Sequence, residues 1–430
     1  MNLSHKKLLI ISNWAPPMVG ASQPLYNLFS QFPPKSFCIL TNYTNIKAGA
    51  EKNGPWLSCD YFFFNHAPIR QNHDPKPALD NHVKQTKNVQ GVRQRLIEAA
   101  MTILRRFSPL RIIYLSYIVI PAIIGFYFTG KKLIRREGIT MLMGTSDNGP
   151  ALISSYLLSR SSKLPLYCFL FDLYKGYRLD APTNWMANLF EPKIIKTAKK
   201  VFVTNDGTME LYQSRYPQFK EKFQVICNSV FTDQYQILNR DYRPSPPYTI
   251  IFTGHVYWPQ EQSVMNMINA MPFLKDLPLQ LELYIPRPNI RIQNAVKKSA
   301  QIRLLFAPQN EMPQIQNKAT LLFLPFSWDT DGREIIATAT PAKFTDYLGA
   351  GRPMLIHAPD YAFVAQYAKK YDLGLVVDRN DVVFLAQTIR EFIQKPKHGQ
   401  QFIKNSFQIF YQNHDAVKNA ELLKKIINEL

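Results

Sequence analysis

The chain has 430 residues, of which 46% are hydrophobic and 19% charged. That length suggests two or more domains, the apolar content supplies sizeable cores, and no stretch is low in complexity or repeats at a solenoid period. A formal net charge of +20, from 51 basic and 31 acidic residues, favours acidic partners: phosphorylated substrates, anionic lipid or nucleic acid.

Nucleic acid is not expected, because no helix-turn-helix signature, RNP-like aromatic motif or zinc-finger spacing is present. Cys38, Cys59, Cys168 and Cys227 are scattered without CxxC spacing. That argues against a zinc cluster or a disulfide scaffold and suits a reducing compartment. The apolar run in MNLSHKKLLIISNW is too short for a signal peptide, so the expected location is cytoplasmic.

The chain opens with LLIIS, apolar on both faces like a buried parallel strand. A loop with Pro16, Pro17 and Gly20 follows, then the helical SQPLYNLFSQF. Strand, glycine loop and helix make the first unit of a Rossmann-like half. Gly20 either lets a backbone approach a phosphate or simply turns the chain. FCILTNY is the next strand. Residues 48–90 are polar and turn-rich around the strand DYFFFN. Their His66, His73 and His82 match no metal spacing. QGVRQRLIEAAMTILRRF reads as a basic helix.

Ile112–Gly130 carries no charge and is flanked by Arg105, Arg106, Arg111, Lys131, Lys132, Arg135 and Arg136. Three readings stay open: a buried helix, an interfacial contact with an anionic leaflet, or a membrane span. ITMLMGTS is a strand before a loop with Asp147, and YCFLF is a strand ending at Asp172. Strand C-terminal ends face the ligand crevice in parallel sheets, which places both carboxylates to meet substrate, and Asp147 fits equally a helix cap or a loop carboxylate. VFVTN, DGTMELYQSRY and FQVICNSV then give strand, helix and strand.

A polar linker is expected at 231–248, around RPSPP. YTIIFTG opens a second half with Gly254 in its loop, and LQLELYIP, IRLLF and LLFLPF supply further strands. WDTDGRE contains a D-x-D at Asp329 and Asp331, either a metal-binding pair or a solvated loop. In Thr340–Pro359, Thr340 can N-cap and Pro341 suits the first helical position. Phe344 and Leu348 form a core face, with Lys343, Asp346, Tyr347 and Ala350 on the neighbouring face. Gly349 and Gly351 can end the helix before the strand at Met354–Ile356. A surface helix fits this pattern. So does a ligand helix, whose N-terminus attracts phosphate and whose acidic residue, one turn on, accepts from ribose hydroxyls. LGLVV is a last strand, and helices run from Val382 onward.

This stretch resembles the donor-binding helix of retaining GT-B glycosyltransferases, in particular the GT4-like family, whose pattern is roughly P-S-K-hydrophobic-x-E-Y-L-A-x-G-x-P. Pro341, Ala342, Lys343, Asp346, Tyr347, Leu348, Gly351 and Pro353 fall in step. Asp346 stands at the second glutamate of the family's E-x7-E motif, which binds the ribose, and Thr338 stands at the first. The Pro16-Pro17 loop is similar to the family's P-P-x-x-G-G, with Ala21 at the second glycine. Asn228 and Val230 match its N-x-V at the domain hinge. His255, Tyr257 and Trp258 occupy the loop where Arg and Lys are usual.

The resemblance implies an α/β chain of the GT-B class, with two Rossmann-like domains whose parallel sheets face a central cleft. The domains expected are an acceptor domain at 1–230 and a nucleotide-sugar domain at 249–400. A helical segment at 401–430 would cross back to the first domain. The implied activity moves a sugar from a nucleotide-diphospho-sugar to a sugar or lipid-linked acceptor, with retention, in cell-surface polysaccharide or glycolipid synthesis. The nucleotide-sugar is a substrate, and no metal or other cofactor is expected. Gly20, Gly254, Thr338, Thr340, Lys343 and Asp346 are the implied donor-binding residues, and Asp172 and Lys343 the catalytic ones. A peripheral place on the inner face of an anionic membrane is compatible with this reading. The alternative is a catalytically silent GT-B protein acting in membrane or assembly contacts.

Overall fold

The structure, a computed structural model, describes residues 6–17, 22–50, 54–70, 117, 119–146, 149–176, 181–328 and 332–429. Gly20, Ala21, His73, His82, the basic helix expected before Ile112, Asp147, Asp329 and Asp331 lie outside the described residues. The chain divides into two compact units, 1–226 with 420–430, and 227–419.

The first unit is built on a seven-stranded parallel sheet: β1 (Leu8–Ile11), β2 (Phe37–Thr41), β3 (Asp60–Phe63), β4 (Met141–Thr145), β5 (Leu166–Leu170), β6 (Lys200–Val203) and β7 (Phe223–Val225). Their order is β3-β2-β1-β4-β5-β6-β7, with Leu8 opposite both Phe37 and Met141. β1, β2, β4 and β5 are buried along their whole length, as strands covered on both faces must be. The expected strand FQVICNSV is shorter than its apolar run: Ile226 N–H still bonds Val203 O, and the chain then leaves the sheet. Val230 meets only an isolated parallel bridge to Asp415.

The second unit holds β8 (Tyr248–Thr253), β9 (Leu279–Tyr284), β10 (Ile302–Leu305), β11 (Leu321–Pro325), β12 (Met354–His357) and β13 (Gly374–Val377). All are parallel, in the order β10-β9-β8-β11-β12-β13. The first strand is central, the next two lie to one side and the rest to the other. That is the doubly wound arrangement with a switch point between β8 and β11.

Residues 231–248, read as a polar linker, carry Tyr235, Leu238 and Tyr242 into the second core. The last helix, Ala416–Glu429, sends Leu423 and Ile427 into the core of the first unit, and Lys424 Nζ reaches Phe32 and the carbonyl of Gln31. Of the uncharged run, the structure describes a helix at Ile120–Arg136 that buries Ile123, Phe126 and Leu133. Among the described residues no helix is long and apolar enough to cross a membrane.

Candidate functional site

Ligands of doubly wound sheets bind outside the strand C-termini at the switch point. In the second unit that place is the end of β8, and Lys343 reaches it. β8 ends at Thr253, and Gly254 follows with φ +99°, a conformation that side chains with a Cβ rarely adopt. A Cβ built on Gly254 would stand 3.5 Å from Lys343 Cε, an ordinary van der Waals contact, so the backbone conformation and not the neighbouring lysine calls for glycine here.

Lys343 lies in the first turn of the helix Ala342–Gly349. Its Nζ donates to His255 O and to Gln260 Oε1, both at 3.2 Å, and lies 3.8 Å from the centre of the Phe252 ring. Burial depresses its pKa well below the lysine range, and the Asp346 charge opposes that shift. The side chain keeps a partly accessible surface, so solvent moderates the effect. No carboxylate lies within ion-pair distance of Nζ among the described residues. Its partners are neutral acceptors and a ring face, an arrangement that leaves positive charge to offer an anion.

Asp346 is three residues further on, on the same helix face. Its Oδ1 accepts from Tyr235 OH at 3.0 Å. Desolvation pushes its carboxyl up to about 6, against the Tyr235 hydrogen bond and the Lys343 charge, both of which lower it. Asp346 too is partly accessible, so water tempers this rise, and the carboxylate keeps acceptor capacity beyond the tyrosine. A cation and a carboxylate thus stand one helical turn apart, roughly 5–6 Å between Cβ atoms.

Tyr347 anchors this helix. Expected beside Asp346 on the neighbouring face, it is instead fully buried, as is Ala350. Thr253 N–H donates to Tyr347 OH at 3.0 Å, and Gln316 Nε2 donates to Thr253 Oγ1 at 3.1 Å. These bonds fix the end of β8 against the helix. The helix starts one residue later than expected: Pro341 takes the N-cap position with ψ 145° and no side-chain cap bond. Thr340 is therefore not the cap. Its carbonyl accepts from Asn228 Nδ2 at 3.0 Å. Thr338 ends the preceding helix, Arg333–Thr338, and is buried, with its hydroxyl donating back to Glu334 O at 2.7 Å. Gly351, at φ +70°, follows the helix as a glycine stop should.

The structure therefore brings Gly254, Lys343 and Asp346 together, with Thr338 and Thr340 on the approach to the same helix. Asp172 belongs to the first unit. It is exposed just beyond β5, and its N–H donates to Ser146 Oγ at 3.2 Å. The loop behind it is held by buried Glu191, which accepts Lys175 N–H at 2.8 Å and Tyr216 OH at 2.7 Å. Tyr212 OH accepts Tyr174 N–H at 3.2 Å and donates to Glu191. Burial raises the Glu191 carboxyl, and its hydrogen bonds and Arg215 pull it back down.

Two site residues were not read from the sequence. Tyr235 sits in the supposed linker, and Gln260 in the first turn of the helix Trp258–Ala270. Gln260 is fully buried, and its Nε2 has no hydrogen-bond partner among the described residues. A polar residue in the first turn after a strand and a glycine loop was the available signal for Gln260. For Tyr235 no local signal exists.

No protein-family model and no curated protein sequence matches the chain. Solved structures do. Anabaena HepE in complex with UDP and glucose is 13% identical, with a TM-score of 0.61 over 99% of this chain and 100% of that one. A glycosyltransferase from Rickettsia africae is 11% identical, with a TM-score of 0.64 over 99% of this chain and 98% of that one. The alpha,alpha-trehalose 6-phosphate synthase of Burkholderia multivorans is 10% identical, with a TM-score of 0.60 over 99% and 98%. At such identities the likeness is one of fold. With its two doubly wound parallel sheets, the chain has the GT-B glycosyltransferase fold.

Proposed function

We propose that the chain transfers a sugar from a nucleotide-diphospho-sugar to a sugar or lipid-linked acceptor, with retention, in the manner of GT4-like enzymes. The observation that carries this reading is the group of Lys343, Gly254 and Asp346 at the switch point of the second unit. HepE has been solved with UDP and with UDP-glucose, which supports a nucleotide-sugar as the donor class. Cell-surface polysaccharide or glycolipid synthesis is the setting that suits such a transfer.

In this reading Lys343 faces the donor diphosphate, and Asp346 accepts from the ribose hydroxyls. Negative charge grows on the diphosphate as the glycosidic bond to it breaks. A cation already in place stabilises that charge. Gly254 lets the phosphates approach the backbone. Thr338 and Thr340 flank the donor. Asp172 receives the acceptor or the sugar. The chemistry needs no metal or cofactor beyond the donor itself.

The test is a panel of nucleotide-sugars incubated with the purified chain and a membrane-lipid extract. Release of nucleoside diphosphate should occur with one donor and depend on acceptor, and the product linkage should keep the donor's anomeric configuration. Binding of nucleotide-sugars with none ever consumed would remove the transferase reading and leave the silent-fold alternative.

A further inference from the structure

Gln260 stands beside the cation of the second unit's crevice with its donor end unused. The side chain is fully buried, in the first turn of the helix Trp258–Ala270. Its Oε1 accepts from Lys343 Nζ at 3.2 Å, and its Nε2 has no hydrogen-bond partner among the described residues. A lysine only donates, so the oxygen is the end of the amide that must face it. That leaves the amide N–H groups buried without an acceptor, a costly state that folded proteins rarely keep without a use.

The backbone around Gln260 offers an anion little. Helix N-termini usually bind phosphate through the N–H groups of the first turn. Here Pro259 has no N–H, and the N–H of Gln260 is taken by Tyr257 O at 2.8 Å. Residues 254–260 contain no Arg or Lys. The turn itself is fixed. Ser327 N–H donates to Pro259 O at 2.7 Å, and Gln262 N–H donates to Ser327 Oγ at 3.2 Å. An anion entering on this side therefore depends on side chains, and Lys343 and Gln260 stand there together.

We infer that Gln260 is a second ligand of the donor diphosphate, exchanging its bond to Lys343 for one from Nε2 to a phosphate oxygen. The inference rests on the donor-site reading of this crevice. Oε1 holds the ammonium in place as a neutral acceptor, and an anion drawn to Nζ outcompetes such an acceptor. The terminal torsion of a glutamine is broad. No described residue holds the nitrogen end, so turning the amide breaks only the bond to Lys343. The turn brings an N–H to where Oε1 stood, beside the anion. Gln260 thus presets the lysine and then adds a neutral donor, without the desolvation cost of a second buried cation.

The test is calorimetry of the full chain with UDP and with GDP, followed with whichever the wild type binds more tightly. Gln260→Leu should weaken that binding about tenfold, the scale of a hydrogen bond to a charged group. In the Lys343→Ala background the same substitution should weaken it about tenfold again. A glutamine that acts only by holding Lys343 would have no further effect there. Gln260→Glu keeps the shape and an oxygen for Lys343 but sets a carboxylate against the diphosphate, and it should lose more affinity than Gln260→Leu. Thermal melts without nucleotide should stay at or above the wild-type value for Gln260→Leu, because an unsatisfied amide is removed. Wild-type affinity in either single variant, or no added loss in the Lys343→Ala background, would overturn the inference and leave the donor reading standing. Binding of neither nucleotide by the wild type would remove the donor reading and the inference with it.

Discussion

Lys343 occupies a place its own helix disfavours. A cation in the first turn opposes the dipole, and burial further destabilises its charged form. Both costs are relieved when an anion binds. Lys343→Ala should therefore leave the unliganded fold as stable as wild type or more so. Thermal melts with and without UDP check this, and the wild type should gain more from UDP than the variant. Asp346→Ala should weaken UDP binding by roughly 1.5–3 kcal/mol, tenfold or more in affinity, because hydrogen bonds to a charged acceptor are lost. Calorimetry giving an unchanged affinity would make Asp346 a structural carboxylate held by Tyr235. Asp346 also sets a pH dependence. Its folded pKa, about 6, lies above its ordinary 3.8. The stability it contributes is thus fully present below 3.8 and is lost as pH rises through about 6. Asp346→Asn should flatten that part of a stability-versus-pH curve measured by denaturant unfolding. Nucleotide binding should move the other way, strengthening as pH rises through about 6 and the carboxylate forms.

At the scale of the element, the loop after β8 and the helix Ala342–Gly349 form one device, tied by Tyr347 to Thr253 and by Lys343 to His255. Gly254→Ala would force a Cβ into a strained φ, while its contact with the lysine stem would be an ordinary one. The expected cost is about 1–3 kcal/mol of stability, read by denaturant unfolding, with a matching loss of nucleotide affinity. The helix itself was legible in the sequence, because the Phe344 and Leu348 spacing and the Gly-x-Pro stop are local signals. Its start was misplaced, since Thr340 is a good cap by residue type but spends its carbonyl on Asn228, 112 residues away. Tyr347 was read beside Asp346 because periodicity alone describes one core face. This helix is buried over a wider arc, and only the sheet edge it packs against reveals that. Tyr235 and Gln260 were illegible for the same reason. Each meets the helix across 111 or 83 residues of sequence, and no local pattern encodes such a contact.

At the scale of the whole molecule, both sheets were legible, because fully apolar runs separated by helical segments are what a doubly wound parallel sheet requires. The strand order was not read from the pattern. It follows from right-handed crossovers filling first one side of the central strand and then the other, and it is this order that places a crevice at the end of β8. The central claim, that the crevice holds a donor whose diphosphate leaves against Lys343, has one direct measurement. Steady-state release of nucleoside diphosphate from the donor found in the panel is compared between wild type and Lys343→Ala at saturating donor. The variant should lose roughly a hundredfold or more in turnover, the scale of a removed charge-stabilising group, with a smaller change in donor affinity. Turnover at the wild-type rate in Lys343→Ala would contradict it.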